Sequence, residues 1–289
     1  MISLRLFFFK YILKIIKGIK KRLYDLMVLI ELTIFKVKNR KLLNPKLLKK
    51  CEIPVYFINL DRSNERRKNL ELELNKYFTN HHRVKAIDGH LLQSDIFKNK
   101  TELFEYDLSD FKDDGNNPGE IGCLLSHIKA IKKIHEDKCE YALVIEDDAS
   151  FKYINKWGTT LKEIIEKAPK DFDVLKLYSY KTFDNLRLLN NNIKYRKLDY
   201  VPKNEWSTCA LIWSKKGVQN AMQFVKDDTF KVTKNDTEFI VADYFLFRTN
   251  KSYDFTQPLI YSNDYSSLVG SSNHQQLRTN KTLRMLYSN

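Results

Sequence analysis

The stretch Tyr141-Ala142-Leu143-Val144-Ile145-Glu146-Asp147-Asp148 decides how the chain is read. An unbroken apolar run of this length is a buried strand. It stops at three carboxylates in a row, whose mutual repulsion a cation, hydrogen-bond donors or water must balance. In open α/β sheets, ligands bind beyond the carboxyl ends of the strands. The triplet therefore stands where a divalent ion is useful. Hard cations such as Mn²⁺ or Mg²⁺ take carboxylate and phosphate oxygens together. Such an ion acts as a Lewis acid on a departing diphosphate. Taken alone, the triplet fits a solvated acidic turn, a phosphatase or a nuclease as easily as a transferase.

The elements around this strand follow from periodicity and capping. Upstream, Asn117 is an N-cap, Pro118 the first helical residue and Glu120 the third, the pattern of a capping box. Ile121, Leu124, Ile128 and Ile131 then share one face of a helix ending near Asp137. Further out, 53–60 and 82–87 read as strands, and 63–78 as a helix carrying Leu70, Leu74 and Phe78 four apart. The polar stretch 90–116 reads as a surface excursion. Downstream, 155–168, 215–225 and 238–247 read as helices, and 172–178 and 209–213 as buried strands. From Ser266 the polar chain is expected to be loop or tail. Strands alternating with helices predict an α/β fold with a mostly parallel sheet.

Charge divides the chain. Residues 1–50 hold 14 Lys and Arg against Asp25 and Glu31, a net +12 of the total +14. A nucleic-acid binder carries its basic surface on the main domain, so that class is disfavoured. The basic segment is also rich in Phe, Leu and Ile, with Lys10, Lys14, Lys17 and Lys21 on one helical face. No stretch approaches the ~20 uncharged residues of a spanning helix. Two readings stay open. One is an amphipathic helix at an anionic membrane surface. The other is a helix packed on the protein's own core. The expected organisation is an arm over 1–50, a catalytic domain over 51–265 and a tail over 266–289. Cys51, Cys123, Cys139 and Cys209 lack the spacing of a zinc site and read as reduced thiols.

Three segments in this order resemble glycosyltransferase family 25, the lipooligosaccharide-biosynthesis glycosyltransferases. They are Val55-Tyr-Phe-Ile-Asn-Leu-Asp-Arg62, continuing through Arg66 and Arg67 to Val84-Lys-Ala-Ile-Asp-Gly89; Pro118-Gly-Glu-Ile-Gly-Cys-Leu-Leu-Ser-His127; and Tyr141 to Asp148. Weaker similarity runs through 209–217 and 241–244. The resemblance implies a GT-A-like fold with a Rossmann-type nucleotide-binding half. It also implies inverting transfer of galactose, less often glucose, from a UDP donor to a lipid-linked oligosaccharide at the cytoplasmic face of the inner membrane. Glu146 and Asp148 are the metal ligands it implies. Asn59, Leu60, Asp61, Arg62, Arg66, Ala86, Asp88, Glu120, Ser126, His127 and Asp147 fall on the donor side. Asp243 is the first choice for the base, with Asp236 and Glu238 as rivals, and Trp206 and Tyr244 are candidates to stack on a sugar. Glu120 retains its capping-box explanation. A catalytically inactive homologue and a metal-dependent phosphohydrolase are the competing functions.

Overall fold

The computed structural model describes residues 2–38, 50–92, 96–198, 207–263 and 274–287. In chain order the elements are α1 (Ile2–Lys38), β1 (Val55–Asn59), α2 (Asn64–Tyr77), β2 (His81–Lys85), β3 (Lys98–Lys100), β4 (Glu105–Asp107), α3 (Pro118–Glu136), β5 (Tyr141–Glu146), β6 (Ala149–Ser150), α4 (Leu161–Lys167) and β7 (Val174–Lys176). There follow α5 (Thr182–Asn190), β8 (Tyr195–Lys197), β9 (Ala210–Ser214), α6 (Lys215–Met222), β10 (Val225–Lys226), β11 (Thr229–Lys231), α7 (Ala242–Arg248), β12 (Ser252–Phe255), β13 (Tyr261–Ser262) and α8 (His274–Tyr287).

Seven strands form one sheet in the order β2-β1-β5-β9-β7-β12-β8. β1 pairs parallel with β2 and β5, and β7 with β12. The sheet is mixed, because β9 opposes both β5 and β7, and β8 opposes β12. The reversal of β9 matters for the site. It enters the sheet at the edge where β5 leaves, so Ala210 lies opposite Ile145. Thr208 and Cys209 thereby arrive beside the acidic turn.

Strand alternation divides the core. Val55, Phe57, Leu143 and Ile145 face one side, packed with Leu70 and Leu74 of α2, Leu186 of α5 and Leu283 of α8. Tyr56, Ile58, Ala142 and Val144 face the other, packed with Leu124 and Ile128 of α3 and Phe245 of α7. Each fully buried Leu or Phe contributes about 1.5–3 kcal/mol. With both faces covered, the strands read as continuous apolar runs.

Three expectations are corrected. The stretch 90–116 is more than a surface excursion, since β3 and β4 join β10 and β11 in a four-stranded sheet. Phe104, Tyr106, Leu108 and Phe111 are buried there. Strands of three residues are too short to show a period. Within 155–168 only α4 is α-helical. Its start is set by Thr160, whose capping box with Glu163 leaves the preceding residues outside. Beyond Ser266 the chain forms α8, which buries Leu283, Leu286 and Tyr287.

The N-terminal segment divides in two. Val28, Leu32 and Phe35, spaced four and three apart, are buried in the first core. Tyr24 stacks near Phe183, centroids 5.9 Å apart. The segment's two acidic residues both bond to later helices, α8 and α5. Asp25 accepts from Lys281 at 3.0 Å, and Glu31 accepts from Asn190 at 2.6 Å. On this half, packing on the protein's own core is what the structure shows, so an arm separate over all of 1–50 is corrected. Ile15, Ile16, Ile19, Leu23 and Leu26 remain exposed.

Candidate active site at the tip of β5

Two glycines, Gly89 in the turn after β2 and Gly122 in α3, explain the local build. A Cβ on Gly89 would fall 1.6 Å from the Pro118 carbonyl, and one on Gly122 would fall 2.6 Å from the Ile87 carbonyl. Their absence lets the first turn of α3 dock on the turn after β2. Ser126 fastens the contact: its hydroxyl accepts from Ile87 N at 2.8 Å and donates to Gly122 O at 2.6 Å. Ser126 is thus committed to the backbone. One consequence is that Cys123 and His127, a helical turn apart, reach Glu146. Their ligand-type atoms and that of Glu146 lie within 4.8 Å of one another.

The three carboxylates are treated differently. Asp147 is buried and fully partnered, taking Asn59 Nδ2 at 2.8 Å and Arg66 NH1 at 3.0 Å. Burial raises its pKa, and those two donors pull it back only in part. Glu146, about one-third exposed at 32%, receives both its bonds on Oε1: Thr208 Oγ1 at 2.5 Å and His127 Nε2 at 3.3 Å. Burial pushes its pKa up, but His127 and Thr208 outweigh that and hold it below the ordinary value. Asp148 has only uncharged partners, Ser262 Oγ at 2.8 Å and the Cys209 thiol at 3.7 Å. Burial, then the charge of Glu146, raises Asp148 to about 7.

Asp243 sits in the first turn of α7, near enough to Glu146 for the two charges to interact. Its Oδ1 is buried without a hydrogen-bond partner. Burial raises its pKa to about 6, against the nearby Lys176 ammonium, while the Glu146 charge raises it further. A half-buried carboxylate that is partly protonated near neutrality is the state of a general base tuned toward its working pH.

The remaining predicted residues divide clearly. Asn59 is the hub beneath Asp147, since Arg83 Nε also donates to its Oδ1 at 3.1 Å. Leu60 accepts from Ser63 N, and Ala86 N donates to Asn59 O, both as backbone contacts. Asp61 pairs with Arg83 and Lys85 at 2.6 and 3.1 Å. Arg62 pairs with Asp88, whose other oxygen caps His90 N at 3.2 Å. Glu120 closes the capping box on Asn117 N at 3.0 Å. Asp236 bonds Thr233 N and Oγ1, and Glu238 accepts from Tyr244 at 3.1 Å. Both belong to a separate cleft of about 650 Å³, so of the three candidate bases only Asp243 stands with the carboxylates. Trp206 lies outside the described residues. A roomier cavity, about 790 Å³, lies at the opposite end of β1 and β5 around Cys51, Ile53 and Tyr141, and holds none of these groups.

Sequence reasoning missed Thr208, Cys209 and Ser262. Nothing local marks them, because the reversed strand and the β13–β6 pairing bring them in from 62 and 114 residues away. The oxygen donors present fit a hard divalent ion. Glu146 Oε2 has no partner among the described residues, and the crowding that raises Asp148 is what a cation relieves.

A family model described as glycosyltransferase family 25 (LPS biosynthesis protein) matches residues 52–236. The chain belongs to glycosyltransferase family 25. The match includes the tip of β5 and Thr208, and stops short of Asp243. Procollagen galactosyltransferase 2 of Mus musculus is 30% identical over 123 residues, 42% of this chain and 20% of that protein. Procollagen galactosyltransferase 1-B of Xenopus laevis is 31% identical over 128 residues, 43% of this chain and 20% of its own length. The Homo sapiens procollagen galactosyltransferase 2 is 29% identical over 123 residues, with 42% and 20% covered. This family 25 chain therefore spans about a fifth of the length of these relatives.

Proposed function

We propose that this family 25 chain moves a hexose, galactose before glucose, from a UDP-sugar to a glycan acceptor, with inversion and with a divalent cation. The observation that carries the reading is the unequal treatment of three consecutive carboxylates. Asp147 is neutralised by Arg66, Glu146 lies near Asp243, and Asp148 keeps only uncharged partners. The names of the relatives point to galactose.

Asp243 Oδ1 would accept the proton of the acceptor hydroxyl. The acceptor oxygen then bonds the anomeric carbon from the face opposite the diphosphate. The bond to the diphosphate breaks, and its electron pair leaves with the phosphate oxygen. Glu146 and Asp148 would hold Mn²⁺ or Mg²⁺, which when bound supplies Lewis-acid stabilisation of the leaving group. Asn59 and Arg66 hold Asp147 in place, so that the turn presents its two neighbours in a fixed direction.

The proposed acceptor is lipid-linked, and the proposed location is the cytoplasmic face of the inner membrane. Two features of the N-terminal segment support this: the charge of +12 over residues 1–50 and the exposed aliphatic side chains from Ile15 to Ile30. No helix among the described residues is long and apolar enough to cross a membrane. The arm would therefore lie on the anionic surface, at about 1 kcal/mol per basic residue near it.

The test is donor consumption measured against a panel of UDP-hexoses, with Mn²⁺, with Mg²⁺ and after exhaustive chelation. Metal-dependent turnover of UDP-galactose is expected. Undiminished turnover in chelator would remove the metal from the reading, and inertness toward every donor would remove the transferase.

A further inference from the structure

The acidic turn accounts for Glu146 and Asp148 but leaves Cys123 and His127 without a role. These two come from one face of α3, and with Glu146 they bring one sulfur, one nitrogen and one oxygen within 4.8 Å of one another. His127 is fully buried. Its Nε2 points at Glu146 Oε1 from 3.3 Å. That is long for a charge-assisted hydrogen bond, which runs about 2.7–2.9 Å. It is the separation, roughly 3.3 Å, of two ligands each ~2.0–2.1 Å from one tetrahedral ion. The other ring nitrogen, Nδ1, is buried and unpartnered. Metal binding would move the ring proton from Nε2, where it faces Glu146, to Nδ1 and free the Nε2 lone pair. Thr208 Oγ1 donates to Glu146 Oε1 at 2.5 Å. That hydroxyl orients one of the three groups, as outer partners of metal ligands do.

We infer that Cys123, His127 and Glu146 form a site for a borderline-soft divalent cation, Zn²⁺ in preference to Mg²⁺, with an open fourth position. Thiolate and imidazole select zinc over hard ions, and three protein ligands leave room for water or a substrate oxygen. Cys123 is only half-buried and Glu146 is partly exposed, so an ion has a way in. One part of the inference rests on the transferase reading: Glu146 is shared with the oxygen-donor set, so zinc bound here withdraws it and inhibits turnover.

Cobalt(II) is the probe, because a cysteine ligand gives it a thiolate-to-metal charge-transfer band that oxygen and nitrogen ligands do not. Titrating the full-length protein with Co²⁺ should produce that band at one equivalent, and Zn²⁺ should abolish it. Cys123→Ser should remove the band and weaken Zn²⁺ binding by at least ~10-fold in equilibrium dialysis. Cys209→Ser, which alters the thiol beside Asp148, should leave the band intact. A saturated wild-type protein without the band overturns the site. So does a band that survives Cys123→Ser or disappears with Cys209→Ser. Should Cys123→Ser fail to fold, alkylation mapped by mass spectrometry on the wild type decides. Zn²⁺ must slow labelling of Cys123 and not of Cys51 or Cys139, and equal labelling of all three sinks the proposal. Loss of Mn²⁺-dependent donor consumption would overturn the transferase reading and leave the cobalt band untouched, so the two failures are distinguishable.

Discussion

The tip of β5 and the helix α1 leave opposite problems unsolved by folding. At the tip the chain gathers charge that it neutralises only in part. Arg66 and Asn59 serve Asp147, whereas Asp148 has only a hydroxyl and a thiol. Along α1 from Ile15 to Ile30 the chain displays aliphatic side chains that it does not bury, although Val28, Leu32 and Phe35 of the same helix are buried completely or nearly so. Uncompensated carboxylates call for a cation or a proton. A contiguous apolar patch calls for lipid or protein. In both regions the anchored part is structural, and the part left over points to a ligand. The cost of holding a charge with no charged partner is therefore expected to show in activity, and that of an apolar side chain in stability or adhesion.

The comparison breaks most sharply at Asp243. Asp243→Asn keeps the shape and removes the base, so turnover should fall by about 10³, within the 10²–10⁴ that a positioned proton acceptor contributes. In the wild type, kcat/KM should rise with pH through about 6, where Asp243 loses its proton, and that limb should vanish in the variant. A pH profile that keeps the limb would mean that another group is the base. Asp148→Ala comes next, lowering turnover by about 10², the scale of losing electrostatic support for a leaving group. Circular dichroism should show the fold intact. Wild-type rates in excess Mn²⁺ would place the metal elsewhere.

The exposed and the docked side chains of α1 offer a second contrast. Leu32→Ala should lower stability by ~2 kcal/mol or more, the cost of a cavity in a packed site. Leu23→Ala, at an exposed position, should shift it by no more than ~0.5 kcal/mol. Binding to anionic vesicles should reverse the order, Leu23→Ala weakening it and Leu32→Ala leaving it unchanged where the variant stays folded. Equal melting temperatures for both variants would deny that α1 docks at all.

How much of this was legible in the sequence follows from where the causes lie. The acidic triplet, the apolar strand before it and the capping box of α3 are local, and each was readable from adjacent residues. The direction of β9 was not, because a five-residue buried strand reads the same in either direction. With it went Thr208 and Cys209. Glu120 was readable in both of its roles, and the structure shows its carboxylate on Asn117 N, as a cap requires. The C-terminal helix was missed because its apolar contacts, Leu283, Leu286 and Tyr287, are few and sit among polar residues. One of those polar residues, Gln276, is itself buried against Ser262 and Asn263. The split of α1 was invisible, since Leu23 and Leu32 differ only in what lies opposite them.

The smallest effect isolates the cost of the tip itself. Asp148 ionises at about 7 in the folded protein, against about 3.9 for a carboxylate in an unfolded chain. Between those values the folded state binds the extra proton. Linkage then requires stability to fall as pH rises from about 4 to about 7, and to stay lowered above it. Asp148→Asn cannot ionise, and an amide replaces the carboxylate at nearly constant volume. In metal-free protein at pH 8 the variant should therefore melt higher, by ~2–4 °C, the response of a chain this size to ~1 kcal/mol. At pH 4 the two proteins should melt together. Saturating Mn²⁺ should raise the wild type and not the variant, because binding to the folded state alone stabilises it. A variant that melts lower than wild type at pH 8 without metal would show that Ser262 and Cys209 satisfy the carboxylate after all. The tip of β5 would then be an ordinary buried turn, no more in need of a ligand than the docked side chains of α1.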